Sequence, residues 1–102
     1  MKEELLYLGI DIGGAHLKVV GVNQNNQVVL VKYSSCKIWE SVENLNNEFE
    51  KINIITKSKK TIVAITMTAE LCDNFKSRED GVKKLMKKCN QLNHDKFYYI
   101  MN

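Results

Sequence analysis

Residues 8–22, LGIDIGGAHLKVVGV, restrict the folding of this chain more than any other stretch. An apolar run halts at Asp11 and a Gly-Gly pair, then resumes for a similar length. Two strand-length apolar segments joined through so few residues fold back on one another, because a parallel pairing needs a crossover of a dozen residues or so. Leu5 to Ile12 therefore reads as a first strand and Leu17 to Val22 as a second. Residues 23–26, NQNN, are a further turn whose asparagines tolerate positive φ, and Gln27 to Tyr33 is a third strand. The first third of the chain is an antiparallel meander.

From Trp39 the period changes. Val42, Leu45, Phe49 and Ile52 recur at helical spacing, with Glu40, Glu43, Asn46, Asn47, Glu50 and Lys51 on the other side. A first helix is predicted there, with Trp39 and Phe49 packing onto the sheet. Thr61 to Thr66 (TIVAIT) has the continuous apolar pattern of a strand buried on both faces. Ser77 followed by Asp80 opens a second helix with Val82, Leu85, Met86 and Cys89 inward and Lys83, Lys84, Lys87 and Lys88 outward. Residues 96–101, KFYYIM, form a fifth strand. The order β-β-β-α-β-α-β gives an α/β domain with a mixed five-stranded sheet of order 3-2-1-4-5, strand two antiparallel, as in ribonuclease H-like folds. Right-handed crossovers that run the same way across the sheet put both helices on one face. The other face is left uncovered although its strands are apolar, so the layer that would cover it is expected to be missing from this chain, which reads as one lobe spanning residues 1–102.

Composition sets limits on class. With 102 residues, 44% hydrophobic and 26% charged, the chain is expected to be one small globular domain. A net charge of +3 is too slight to mark a nucleic-acid binder. Cys36, Cys72 and Cys89 are odd in number and widely spaced, which indicates neither a disulfide framework nor a zinc site and fits a reducing cytoplasm. No apolar run approaches a membrane span and the N-terminus lacks a signal-peptide pattern, so no membrane association is expected.

The opening turn can carry chemistry. Asp11 falls at the carboxyl end of strand one, beside the crossover to strand four, where open α/β sheets bind ligands. Gly13 and Gly14 let backbone N–H groups approach a phosphate. Mg²⁺ suits Asp11, directly or through water. Lys18 reads either as a charge for phosphate or as an outward-facing polar residue, and a Gly-Gly hairpin without a ligand fits the same residues. His16 neighbours the loop and reads as a phosphate contact or an ordinary surface histidine; His94 falls in a loop.

GIDIGGAHLKVVGV resembles the first phosphate loop, Asp-x-Gly-Gly-Thr-x-x-Lys, of the actin, sugar-kinase and heat-shock-chaperone ATPase superfamily. Residues 63–85, VAITMTAELCDNFKSREDGVKKL, resemble a second signature, found in the hydantoinase/oxoprolinase-related family of tetrahydromethanopterin-linked one-carbon transfer proteins, which includes an enzyme of methanofuran assembly. Position by position, Asp11, Gly13, Gly14 and Lys18 match the loop, and Thr66, Thr68, Glu70 and Asp73 match the second signature. The resemblance implies phosphate or nucleotide contacts from Gly13, Gly14, Ala15, His16, Lys18, Thr66 and Thr68, and metal contacts from Asp11, Glu70 and Asp73, with Mg²⁺ and ATP as cofactors. Three positions depart from the pattern: Ala15 stands where many of the ATPases have a hydroxyl, His16 replaces Asn, and Ala69 replaces Gly. The relatives continue into a second lobe with another phosphate loop, so this chain is expected to hold half a site and to be inactive alone. Its expected partners are a phosphate-bearing small molecule and either a second copy or a second-lobe chain.

Two other readings use the same residues. Asp11, Glu70, Asp73 and Glu48 could hold two cations for a ribonuclease H-type nuclease, with the lysine face of the second helix tracking the backbone of a nucleic acid. An assembly module pairing through the uncovered sheet face needs no catalysis at all.

Overall fold

The computed structural model describes residues 4–69 and 75–100. Glu70, Cys72 and Asp73 lie outside the described residues. The strands are β1 (Glu4–Ile12), β2 (His16–Asn23), β3 (Val28–Ser35), β4 (Lys59–Met67) and β5 (Lys96–Tyr99), with helices α1 (Leu45–Thr56) and α2 (Arg78–Cys89). Together they form one sheet of order β3-β2-β1-β4-β5. β2 runs antiparallel to both β1 and β3, whereas β4 is parallel to β1 and β5. This is the architecture expected from the order of periodicities.

Alternation along the strands sorts the side chains onto two faces. Leu6, Leu8, Ile10 and Ile12 of β1, Leu17 and Val19 of β2, and Val63, Ile65 and Met67 of β4 are buried. They share a core with Leu45, Phe49 and Ile52 of α1 and Leu85 and Cys89 of α2, so both helices cover the same face. Each fully buried Leu, Ile or Phe contributes about 1.5–3 kcal/mol relative to exposure. On the other face Tyr7, Val20, Val31, Tyr33 and Tyr98 are exposed, Val31 at 72% of its surface. The handedness argument thus holds: one sheet face has no layer over it among the described residues.

The β2–β3 turn follows its asparagines. The Asn23 Oδ1 accepts from the Asn25 and Gln27 N–H groups at 2.9 and 3.0 Å, and Asn26 takes a φ of 60°. At α2, the Ser77 hydroxyl accepts from the Asp80 N–H at 3.1 Å, the cap that the sequence pattern predicts.

The first helix departs from expectation. It does not begin at Trp39. Ser41, in extended conformation, caps a single 3-10 turn at Val42–Asn44, and α1 begins only at Leu45. The residues before it are tied elsewhere: the Cys36 N–H donates to the Ala15 carbonyl at 2.8 Å and the Trp39 N–H to the Gly14 carbonyl at 3.1 Å. The Lys37 carbonyl accepts from the Glu40 and Ser41 N–H groups at 3.1 and 3.4 Å, one isolated turn that the extended Ser41 keeps from running on into α1. Trp39 is 52% exposed and is no part of the helix-to-sheet packing, whereas Phe49 is fully buried as expected.

Candidate functional site

The carboxyl end of β1 is where the chemistry collects. Register places Asp11 opposite Lys18 on β2 and opposite Thr66 on β4, and Lys18 opposite Tyr33 on β3. Directly paired residues share a face, so Tyr33, Lys18, Asp11 and Thr66 form one row across the uncovered side of the sheet. The Thr66 hydroxyl donates to the Asp11 Oδ1 at 3.3 Å, bracing the half-buried carboxylate. The Lys18 Nζ sits 5.7 Å from the centre of the Tyr33 ring, and the His16 ring stacks on the same tyrosine with centroids 5.1 Å apart. Two basic side chains are therefore held beside the loop by one aromatic platform. Sequence reasoning singled out His16 and Lys18 but missed Tyr33, because only the β2–β3 register brings it there.

The turn itself is tightly organised. The Gly13 N–H donates to the His16 carbonyl at 3.0 Å and closes it. Gly13 thus serves the turn, and its N–H is not available to a phosphate. A Cβ on Gly13 would come within 3.3 Å of the His16 carbonyl oxygen and 3.9 Å of the Thr68 hydroxyl, which shows how closely β4's end approaches the loop. The Thr68 N–H donates to the Ile12 carbonyl at 2.9 Å and fastens that approach. The carbonyls of Gly14, Ala15 and His16 are all engaged, by Trp39, Cys36 and Gly13 respectively. Among the described residues, the N–H groups of Gly14 and Ala15 have no backbone partner. The straps from Cys36 and Trp39 had no sequence signal, since they join segments that periodicity treats separately.

Other candidates lie apart. Glu48 is buried on the helix-covered side, where its Oε2 lies 3.4 Å from the Lys51 Nζ and 3.7 Å from the Lys32 Nζ. Burial opposes its charge, but the Ser34 hydroxyl and the ammonium groups of Lys32 and Lys51 outweigh that and hold its carboxyl below the ordinary range. The sheet separates Glu48 from Asp11, so it is no ligand to a cation there. The lysine face of α2 is partly neutralised by its own neighbours: Lys88 bonds Glu43 and Asn46, and Lys84 lies 3.2 Å from the Asp80 carboxylate. His94 bonds the Leu92 carbonyl at 2.6 Å and meets Phe97 edge-on, a structural role. Burial pushes the Cys89 thiol up to about 12, and Cys36 is raised by burial and by Glu48.

Among the described residues no group of three His, Cys, Asp or Glu side chains is placed to hold a metal ion. A single carboxylate still suits Mg²⁺, which keeps several waters and takes its remaining ligands from substrate phosphates. No helix among the described residues is long and apolar enough to cross a membrane.

No protein-family model matches the chain. It is 31% identical over 85 residues to the (4-{4-[2-(gamma-L-glutamylamino)ethyl]phenoxymethyl}furan-2-yl)methanamine synthase of Methanocaldococcus jannaschii. That match covers 83% of this chain and 24% of the relative, so the chain spans about a quarter of its relative's length. Solved structures share the fold at low identity. A ROK-family transcriptional regulator, homologous to the E. coli MLC protein, matches with a TM-score of 0.57 at 11% identity, over 95% of this chain and 28% of its own. An exopolyphosphatase from Cytophaga hutchinsonii matches at 0.54 and 12%, over 94% and 34%. The PPX-GPPA enzyme of Aquifex aeolicus matches at 0.52 and 10%, over 96% and 36%. These neighbours have the actin/sugar-kinase-like ATPase fold, and this chain has the same mixed sheet of order 3-2-1-4-5.

Proposed function

We propose that the turn from Gly13 to His16 binds the phosphate end of a nucleotide or similar small molecule, in a lobe that supplies one side of a two-sided cleft. One observation carries this reading: the Gly14 and Ala15 N–H groups, in a tightly closed turn beside Asp11, Lys18 and His16, have no backbone acceptor among the described residues. The two N–H groups would donate to phosphate oxygens, Lys18 would supply positive charge, and the His16 ring, stacked on the same Tyr33, would offer a ring N–H. Asp11, oriented by Thr66, would hold Mg²⁺ through one oxygen or through water, and the ion would neutralise phosphate charge. Thr68 lies against the loop and would contact the same group. Glu70 and Asp73 remain candidates for the metal side from outside the described residues.

The similarity to the methanogen synthase supports a role in assembly of a methanofuran-type coenzyme. The turn is proposed as one side of a two-sided cleft, and binding is the property to test. Isothermal titration with Mg-ATP tests the site. Wild-type chain should bind, and Asp11→Ala should bind at least about tenfold more weakly, the equivalent of losing one charge-assisted contact of about 1.5–3 kcal/mol. Equal heats for the two proteins would remove the site assignment.

A further inference from the structure

Trp39, the only tryptophan in the sequence, is 52% exposed although the segment that carries it is tightly held. Its own N–H donates to the Gly14 carbonyl at 3.1 Å, and the Cys36 N–H donates to the Ala15 carbonyl at 2.8 Å. The Lys37 carbonyl accepts from the Glu40 and Ser41 N–H groups and, at 2.8 Å, from the Asn44 side-chain amide. Cys36 and Ile38 anchor the same segment in the core, so it cannot roll over to bury the indole. A scattered exposed apolar residue needs no explanation by itself. Trp39 differs in where it stands: one backbone hydrogen bond away from the turn whose Gly14 and Ala15 N–H groups have no backbone acceptor among the described residues.

The two aromatic side chains fastened beside this turn are placed differently. Tyr33 is already engaged, with the His16 ring stacked on it at 5.1 Å and the Lys18 Nζ 5.7 Å from its centre. The Trp39 ring meets no aromatic ring or ammonium group among the described residues. An indole is a large, rigid π surface that stacks on flat rings of any hydrogen-bonding pattern, offset, with centroids about 4.5–7 Å apart. Trp39 thus offers, next to a seat for phosphate, an exposed flat surface suited to the aromatic part of the same ligand. Because the indole is tied to the turn through the backbone of its own residue, the ring it meets is one joined to the phosphate by a short link. An inorganic phosphate chain or a simple sugar phosphate would gain nothing from that surface.

We propose that Trp39 selects for an aromatic ligand: its indole stacks on the ring of a small molecule whose phosphate sits at Gly14 and Ala15, an inference that rests on the phosphate-binding reading of that turn. The test titrates the isotope-labelled chain, with Mg²⁺ present, against benzyl phosphate and methyl phosphate, which share the phosphate and differ in the ring. In amide correlation spectra both should move the Gly14 and Ala15 resonances saturably. Benzyl phosphate alone should also move the indole N–H resonance, which is unambiguous in a chain with one tryptophan. Its affinity should be at least about fivefold higher than that of methyl phosphate, the lower end of what stacking on an aromatic side chain contributes. Trp39→Leu should abolish this advantage and leave methyl phosphate binding unchanged, whereas Trp39→Phe should keep most of it. Equal wild-type affinity for the two phosphates, an advantage that survives Trp39→Leu, or an equal loss for both ligands in that variant would overturn the inference, while the shifts caused by methyl phosphate would leave the reading of the turn standing. If neither phosphate moves the Gly14 and Ala15 resonances, the reading of the turn falls and this inference falls with it.

Discussion

Three glycines of this sheet and its first turn do three different things. Gly13 closes the turn through its own N–H, Gly21 makes room for the Leu6 and Leu30 side chains, and Gly9 leaves the outer face of β1 bare. For Gly21→Ala the new methyl would crowd Leu30 at 3.0 Å and Leu6 at 3.2 Å, so the chain should lose about 1–3 kcal/mol, read as a lower urea midpoint with unchanged slope. An unchanged midpoint would mean that Leu30 moves aside freely. At this scale the sequence is only half legible. Asp11 and the Gly-Gly pair announce a specialised turn, but the bonds from Cys36 and Trp39 that engage its carbonyls are encoded in no local pattern. Tyr33 is equally hidden, because its meeting with His16 and Lys18 is settled by pairing between strands.

Secondary-structure elements were easier to read where a cap or a period stands alone. Ser77 is the example: a hydroxyl followed three residues later by a carboxylate, directly before an apolar helical pattern. Ser77→Ala should destabilise the chain by about 1 kcal/mol, and Ser77→Asp should restore most of it, as measured by thermal or urea unfolding. No difference between wild type and Ser77→Ala would show that the start of α2 is held by other contacts. Around Trp39 the same reasoning starts a helix too early, because the spacing from Val42 onward extends backwards across residues whose N–H groups bond the Gly14 and Ala15 carbonyls. Periodicity reports which side chains face inward; it does not report competition for backbone hydrogen bonds.

The described residues form a sheet with both helices on one face, and its stability rests on that covered side. Glu48 links α1 to β3 there through Lys32 while pairing with Lys51 on its own helix. Its carboxyl is held below the ordinary range, so the folded chain binds that proton less readily than the unfolded one. The associated stability is present above about pH 4.3 and is lost as pH falls through the folded-state value. Glu48→Gln should therefore be less stable than wild type at neutral pH and should approach it as the pH is lowered towards 3. Parallel stability curves for the two proteins would show that the ion pairs contribute nothing. The bracing of Asp11 by Thr66 has a consequence in time rather than space. The hairpin that carries the turn closes locally, but the hydroxyl that orients its carboxylate lies 55 residues further along and arrives only when β4 slots in beside β1. A nascent chain thus acquires the shape of the loop well before it acquires a correctly aimed acidic group, and affinity for phosphate should emerge only at the last long-range step of folding.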